Sequence, residues 1–178
     1  MTAGSLTFRT ATVEDAPVIA ALVKSAYRGE SSRAGWTTEA DYVADERIDA
    51  KGVSDKINDP AGVILMAYDK DGVLAACCEL LKKSEKLGYF GLFAVDPQRQ
   101  AGGLGRQVLA AAEAYAKNEM KVAGLEMQVI WLRDELISWY QRRGYNKTSE
   151  TKPFPYEHLV NGKALRDDLY FTILYKDL

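Results

Sequence analysis

Apolar residues along the chain recur with two periods. Leu6-Thr-Phe-Arg-Thr10 alternates like a short strand, and Thr12-Val-Glu-Asp15 has the form of a capping box. Val13, Ala16, Ile19, Ala20, Val23, Ala26 and Tyr27 follow helical spacing, which predicts a helix to about Tyr27 whose exact first turn Pro17 leaves open. Residues 28–35 are rich in Gly, Ser and charge and read as a loop, followed by Trp36 and a short helix expected from Thr38. Strands are expected at 63–68 and 73–81, with Asp69-Lys-Asp-Gly72 as the tight turn of an antiparallel hairpin. Residues 88–95 form a third apolar strand, closed by Asp96-Pro97. Beyond a glycine-rich turn, Leu104, Val108, Ala111, Ala112, Tyr115 and Glu119 mark the stripe of a long alanine-rich helix. From 123 to 131, Leu125, Met127, Val129 and Trp131 alternate with Gly124, Glu126, Gln128 and Ile130, a strand with Glu126 and Gln128 on one face. It should run parallel to 88–95. Asp134 is placed to cap a further helix that turns Leu136, Ile137, Trp139 and Tyr140 inward and stops at Gly144. Two last strands, 145–151 and 168–176, flank a loop with Pro153, Pro155 and His158. No repeat or linker interrupts this order, so a single mixed α/β domain over 1–178 is expected.

Composition narrows the function. The 178 residues are 47% hydrophobic and 27% charged, enough for a core and unlike a disordered chain or coiled coil. Lys plus Arg (23) against Asp plus Glu (25) leaves −2 at pH 7, without the basic surplus that nucleic-acid backbones select. Aliphatic runs such as Val63-Ile-Leu-Met-Ala67 stay far below the roughly 20 residues that cross a bilayer. The first ten residues lack the pattern of a secretory signal, so a cytoplasmic protein without membrane attachment is expected. Cys77 and Cys78 are neighbours, which excludes an ordinary disulfide framework and the spaced pairs of a zinc site. A lone His158 excludes a multi-histidine metal centre and leaves little for a Ser-His-Asp triad. No metal is expected, and both thiols read as core packing.

The stretch from Val95 to Arg106, Val-Asp-Pro-Gln-Arg-Gln-Ala-Gly-Gly-Leu-Gly-Arg, joins a strand to the first turn of a helix. Such a turn aims unpaired backbone N–H groups and the positive end of a helix dipole at its ligand. Glycines at 102, 103 and 105 let a pyrophosphate approach the backbone, and Arg99 and Arg106 add charge. The lysine of a P-loop is missing. The dinucleotide pattern G-x-G-x-x-G/A starts at Gly103-Leu-Gly105 but meets Val108, although Glu126 stands about 20 residues on. A nucleotide-dependent oxidoreductase is therefore the weaker alternative.

Gln100-Ala-Gly-Gly103-Leu-Gly105 fits Q/R-x-x-G-x-G/A after an apolar strand and Val-x-Pro, and Trp139-Tyr-Gln-Arg-Arg-Gly-Tyr145 fits Φ-Y-x-x-x-G-F/Y. On these motifs the sequence resembles the GCN5-related N-acetyltransferase (GNAT) superfamily, most specifically over 90–145 and in element order over roughly 7–176. The resemblance implies a central mixed, mostly antiparallel sheet with a parallel strand pair splayed at the coenzyme site and helices on both faces. It implies acetyl-CoA as co-substrate, with Gln100, Ala101, Gly102, Gly103, Leu104, Gly105 and Arg106 around the pyrophosphate. Backbone N–H groups of Phe93, Ala94 and Val95 would pair with pantetheine amides and polarise the thioester carbonyl. Tyr140 would face the sulfur, where a phenol can protonate the departing thiolate.

The same resemblance implies direct transfer to an amine in a ternary complex. The amine arrives as an ammonium with pKa about 10.4, so a base must act first. Strand 89–95 holds no carboxylate, which leaves Glu126, through water if it points inward, and Glu79 as candidates. The asparagine often found seven residues before the tyrosine is Arg133, a candidate phosphate ligand or strand-end cap, and a small residue near it is Leu136. The acceptor should enter between 28–36 and 153–158, with Glu30 and Trp36 as candidate contacts. Glu30, Glu39 and Asp41 would attract a cation, whereas Arg28 and Arg33 permit an acidic acceptor such as an amino acid. The expected function is acetyl-CoA-dependent N-acetylation of a primary amine of a small molecule or a protein, with a homodimer plausible by analogy. The empty base position motivates an alternative, a non-catalytic acyl-CoA-binding sensor.

Overall fold

In the computed structural model, which describes residues 4–178, β1 (Thr7–Thr10) ends at the capping box foreseen in the sequence. The Thr12 N–H donates to Asp15 Oδ2 at 2.8 Å, and one 3-10 turn leads into α1 (Ala16–Tyr27). Pro17 lies in the first turn of α1, where a missing N–H breaks no helical hydrogen bond. There follow α2 (Gly29–Ser32), β2 (Val43–Ala44), α3 (Ala50–Asn58), β3 (Gly62–Tyr68), β4 (Leu74–Lys82) and β5 (Leu87–Val95). The remainder is α4 (Leu104–Asn118), β6 (Gly124–Ile130), α5 (Asp134–Gln141), β7 (Asn146–Pro153), β8 (Lys163–Ala164) and β9 (Tyr170–Asp177).

Most elements lie where the periodicity places them, with three differences. The segment after Thr38 is a turn running into β2, and the helix of this region is α3, capped by Asp49 Oδ1, which accepts from the Gly52 N–H at 2.8 Å. The apolar stripe of α3 is Ala50, Val53 and Ile57, at helical spacing but only three residues long, a short signal in the sequence. Residues 28–35 contain the single turn α2, and Arg133 takes the N-cap position of α5, with Asp134 inside its first turn.

Seven strands form one sheet in the order β1-β3-β4-β5-β6-β9-β7, antiparallel throughout except for the parallel pair β5–β6. Alternation sorts its side chains onto two faces. Ile64 and Met66 of β3 meet Ile19 and Val23 of α1 and Val53 of α3, while Leu65 and Ala67 meet the side of the sheet covered by Leu104, Val108 and Ala112 of α4. Each large aliphatic buried this way contributes about 1.5–3 kcal/mol relative to exposure. No helix among the described residues is long and apolar enough to cross a membrane.

Two irregularities open the sheet. Cys77 pairs with Ala94 and Glu79 with Gly91, so Cys78 stands opposite both Leu92 and Phe93, a β-bulge. Leu92 takes a left-handed backbone (φ 47°) whose cost, about 1–2 kcal/mol, is offset by burial of its side chain against α1. The bulge bends β5. Its ladder with β6 covers only Leu87 to Tyr89 against Gly124 to Glu126, and beyond Tyr89 the two strands part. A ribbon of β2 and β8, termed the roof, packs Val43 on Ile130, Phe154 and Leu169 and brings Asp45, one residue beyond β2, to the edge of the gap. Gly162 permits that roof, because a Cβ there would collide with the Ala44 carbonyl oxygen.

Candidate active site

Two cavities meet where β5 and β6 separate. A cleft of about 210 Å³ is lined by Phe93 and Val95, Gln100, Ala101, Gly103, Gly105 and Arg106 of the glycine turn, Trp36 and Thr37, and Trp139 and Arg143. A second cavity, about 260 Å³, lies under the roof between residues 89–93 and 127–130, with Arg28, Glu39, Asp45, Arg47, Arg133 and His158 around it. Tyr27, Phe93, Leu136 and Tyr140 border both.

The cleft is built for an anion. Asp96 Oδ1 accepts from the Gln98 N–H at 3.0 Å and starts a 3-10 stretch that ends at Gly103. Gly103 pivots into α4 with φ 77°, a conformation that costs other residues about 1–2 kcal/mol. Among the described residues no side chain caps α4, so its first N–H groups are left for a ligand. Arg106 and Arg143 line the cleft and no carboxylate does. Arg143 lies 3.7 Å over the Trp139 ring, and Nη1 donates to the Trp139 carbonyl at 2.8 Å. Its Nε is buried without a partner among the described residues. Burial, then the like charges of Arg106 and Arg142, pull the Arg143 pKa down, a strain that an anion would relieve.

Several expected cofactor residues are engaged differently. Gln100 Oε1 accepts from the N–H groups of Trp36 (2.9 Å) and Thr37 (3.3 Å). Its Nε2 donates to Thr37 Oγ1 (2.6 Å) and the Val95 carbonyl (3.1 Å), so Gln100 fastens the 36–37 loop to the end of β5. The side chains of Ala94 and Leu104 belong to the core on either face of the sheet, and Gly102 is not part of the cleft lining. Arg99 pairs with Asp69 at 3.0 Å. Trp36 lines the cleft at 6.3 Å from Trp139, on the glycine-turn side and not in the roofed cavity.

Tyr140 sits at the junction, packed edge-on against Trp139 (5.2 Å) and Tyr145 (5.9 Å). Burial, then neighbouring Tyr27, pushes its phenol well above the ordinary value while Arg133 opposes, so the hydroxyl keeps its proton at neutral pH. The Tyr27 hydroxyl donates to the Phe93 carbonyl, and burial raises its pKa to about 12. Cys77 and Cys78 line neither cavity, and burial pushes both thiols up, Cys77 to about 12.

The second cavity has an ionic wall. Buried Arg28 donates through Nη1 to Glu39 Oε1 and through Nε to Asp45 Oδ1, both at 2.6 Å. Glu39 Oε2 accepts from Arg133 Nη1 at 3.0 Å, and Arg133 Nη2 donates to the Thr37 carbonyl at 2.6 Å. Asp45 also accepts from the N–H groups of Arg47 and Val160, each at 3.0 Å. Burial drives Glu39 toward its neutral form, but Arg133 and Arg28 outweigh it and hold the pKa below the usual range. Asp45 is lowered in the same way, burial being outweighed by Arg28 and the Val160 N–H. Arg133 thus joins β6 to the segment after α1 and binds within the protein.

The expected base and acceptor residues lie elsewhere. Glu126 is 3.4 Å from Lys152 of β7, buried Glu79 is 2.7 Å from Lys56 of α3, and neither lines a cavity. Glu30 is on the surface with Arg33 (3.0 Å), which also holds Asp41 (2.8 Å). Of that acidic run only Glu39 reaches the cavity. Arg143 and Trp139 were not singled out as ligand contacts, although they stand one helical turn apart in the closing-helix motif. Arg47 gave no signal, since nothing local shows where its loop folds.

The sequence profile of the acetyltransferase (GNAT) family matches residues 19–145, a span containing the bulge, the glycine turn and Tyr140. Solved structures of similar fold include spermidine N-acetyltransferase from Vibrio cholerae in complex with CoA and spermine. It has a TM-score of 0.68 and 16% identity, over 97% of this chain and 95% of that one. Another is a putative phosphinothricin N-acetyltransferase, with a TM-score of 0.69 and 17% identity over 98% and 99%. Comparison with curated proteins gave no match. With the family profile covering most of its length and the splayed sheet it calls for in place, the chain belongs to the acetyltransferase (GNAT) family.

Proposed function

We propose that the chain acts as a single catalytic domain that transfers an acetyl group from acetyl-CoA directly to a primary amine of a small molecule. The observation that carries this reading is the junction at Tyr140 between a carboxylate-free cleft with two arginines and a separate roofed cavity. The pyrophosphate would lie at the N–H groups of Gly103 and Gly105, between Arg106 and Arg143. The pantetheine arm would follow the edge of β5 beyond Tyr89, where the ladder with β6 has ended, and bring the thioester to Phe93 and Tyr140.

The amine enters the roofed cavity as an ammonium and gives one proton to water. Its nitrogen forms a bond to the acetyl carbon while the carbonyl electron pair moves to oxygen, facing backbone N–H groups at the bulge. Collapse of that intermediate breaks the C–S bond. Tyr140 donates a proton to the departing sulfur and regains one from the acetylated nitrogen through water, leaving an N-acetyl amine and free CoA. Neither cysteine is required. Glu126 and Glu79 are the proposed carboxylates for the first proton only if water links them to the cavity, since each is engaged by a lysine.

Thermal unfolding beside acetyl-CoA, NAD, ATP and S-adenosylmethionine tests the coenzyme. Acetyl-CoA at 100 times its dissociation constant should add about 2.7 kcal/mol. A shift with NAD alone would overturn the reading. One observation favours a second one, an acyl-CoA-binding sensor: every carboxylate lining the roofed cavity is already held by arginine. Tight acetyl-CoA binding without transfer to any amine in a broad screen would select it.

A further inference from the structure

We infer that the acceptor is an amine that also carries a carboxylate, an amino acid or a similar small acid, and that Arg47 binds that carboxylate. This rests on the reading of the roofed cavity as the acceptor site. The ionisable groups around that cavity are Arg28, Arg47, Arg133, Glu39, Asp45 and His158, beside the phenols of Tyr27, Tyr89 and Tyr140. Three arginines face two carboxylates, so these five side chains together carry 3 − 2 = +1. The surplus is localised. Glu39 has both oxygens engaged by Arg28 and Arg133, and Asp45 has one on Arg28 and the Arg47 N–H and the other on the Val160 N–H. Among the described residues, the Arg47 guanidinium has neither an ion-pair nor a hydrogen-bond partner.

Arg47 is also held in place at a cost. Its backbone is left-handed (φ 65°), unusual for a long side chain, and its N–H is fixed on Asp45, which Arg28 and the Val160 N–H pin in turn. Strain of this kind persists where surrounding contacts dictate the conformation, and here it presents a half-buried guanidinium to the cavity. Its charge reaches Tyr27, Tyr89 and Glu39, three separate parts of the wall. A planar guanidinium with free donors selects a carboxylate, which can take two parallel hydrogen bonds. A polyamine meets the opposite situation, because no carboxylate is left for its second cation and Arg47 repels it.

The test uses the purified full chain with saturating acetyl-CoA and matched acceptors: α-amino acids, their carboxamides, and spermidine. The unsubstituted protein should use amino acids at least about tenfold better in kcat/KM than their amides, as expected for a charged hydrogen bond. Arg47→Gln should raise KM for the acid about tenfold or more, leaving kcat and KM for acetyl-CoA within about twofold, and Arg47→Lys should recover part of the loss. Preference for the amide or for spermidine overturns the inference. So does an unchanged acid KM in Arg47→Gln when the acetyl-CoA thermal shift is intact. If Arg47→Gln fails to fold, the acid-to-amide ratio of the unsubstituted protein decides alone. Failure of the underlying acetyltransferase reading shows separately, as no acetyl-CoA shift in the unsubstituted protein, and takes this inference with it.

Discussion

At Tyr140 a buried phenol borders both cavities and packs on Trp139 and Tyr145, so its hydroxyl can be removed without removing the ring. Tyr140→Phe should lower kcat by about 10²–10⁴-fold, the usual worth of a positioned general acid. KM for acetyl-CoA should stay within about twofold, read from steady-state release of the CoA thiol. Retained turnover would remove the proton from this residue and leave the fold untouched. Gly105 allows the proposed coenzyme site to be tested apart from folding. A Cβ there would stand 3.5 Å from the rings of Phe93 and Trp139, ordinary contact, while a longer acid would extend between them into the cleft. Gly105→Glu should abolish the acetyl-CoA thermal shift with the unfolding midpoint of the apo-protein changed by only a few degrees.

The motifs around these two proposed residues are legible because their spacing survives in the sequence. The ionic wall is not. Glu39 lies in an acidic stretch that reads as solvated surface, and only the fold reveals Arg28 and Arg133 on its two oxygens, the latter from the end of β6. Glu126 shows the converse: its strand face was readable, but its engagement by Lys152 depends on β7 reaching it through β9. At the scale of elements the same division holds. The β3–β4 hairpin and the run β5, turn, α4, β6 stand out because turn chemistry and period agree. The roof of β2 and β8 has only two residues per strand and no period to recognise. It can be tested through Gly162, where any side chain would strike the Ala44 carbonyl. Gly162→Ala should loosen the ribbon and raise KM for the acceptor several-fold, with the acetyl-CoA shift preserved because the segments flanking the ribbon reach the roofed cavity at Asp45, His158 and Leu159 but do not reach the glycine-turn cleft. An unchanged acceptor KM would show that the roof does not shape that cavity.

For the whole molecule, the ionic wall connects the segment after α1, the β2–β8 roof and the β6–α5 joint, three regions far apart in sequence. Removing one partner of a buried pair costs about 3–5 kcal/mol because the other charge is left unpaired. Glu39→Gln, which leaves Arg133 without an ion-pair partner and Arg28 with Asp45 alone, should therefore lower the unfolding midpoint markedly at pH 7. The pH dependence has a definite sign. Glu39 and Asp45 have lowered pKa values in the folded state, so the stability they confer is complete above the ordinary carboxylate range and is lost as pH falls through the lowered values. Asp15, held down first by Arg9, and Asp69, held down first by the Val73 N–H, act in the same direction, but their exposure to solvent weakens them. The midpoint should be nearly constant from pH 6 to 8 and fall steeply below about pH 4, where unfolded Asp and Glu take up protons. Glu39→Gln should unfold at lower temperature at pH 7 and follow a shallower acid slope, since one of the lowered groups is gone. Parallel slopes in the two proteins would mean that Glu39 does not couple folding to protons and that acid unfolding begins elsewhere.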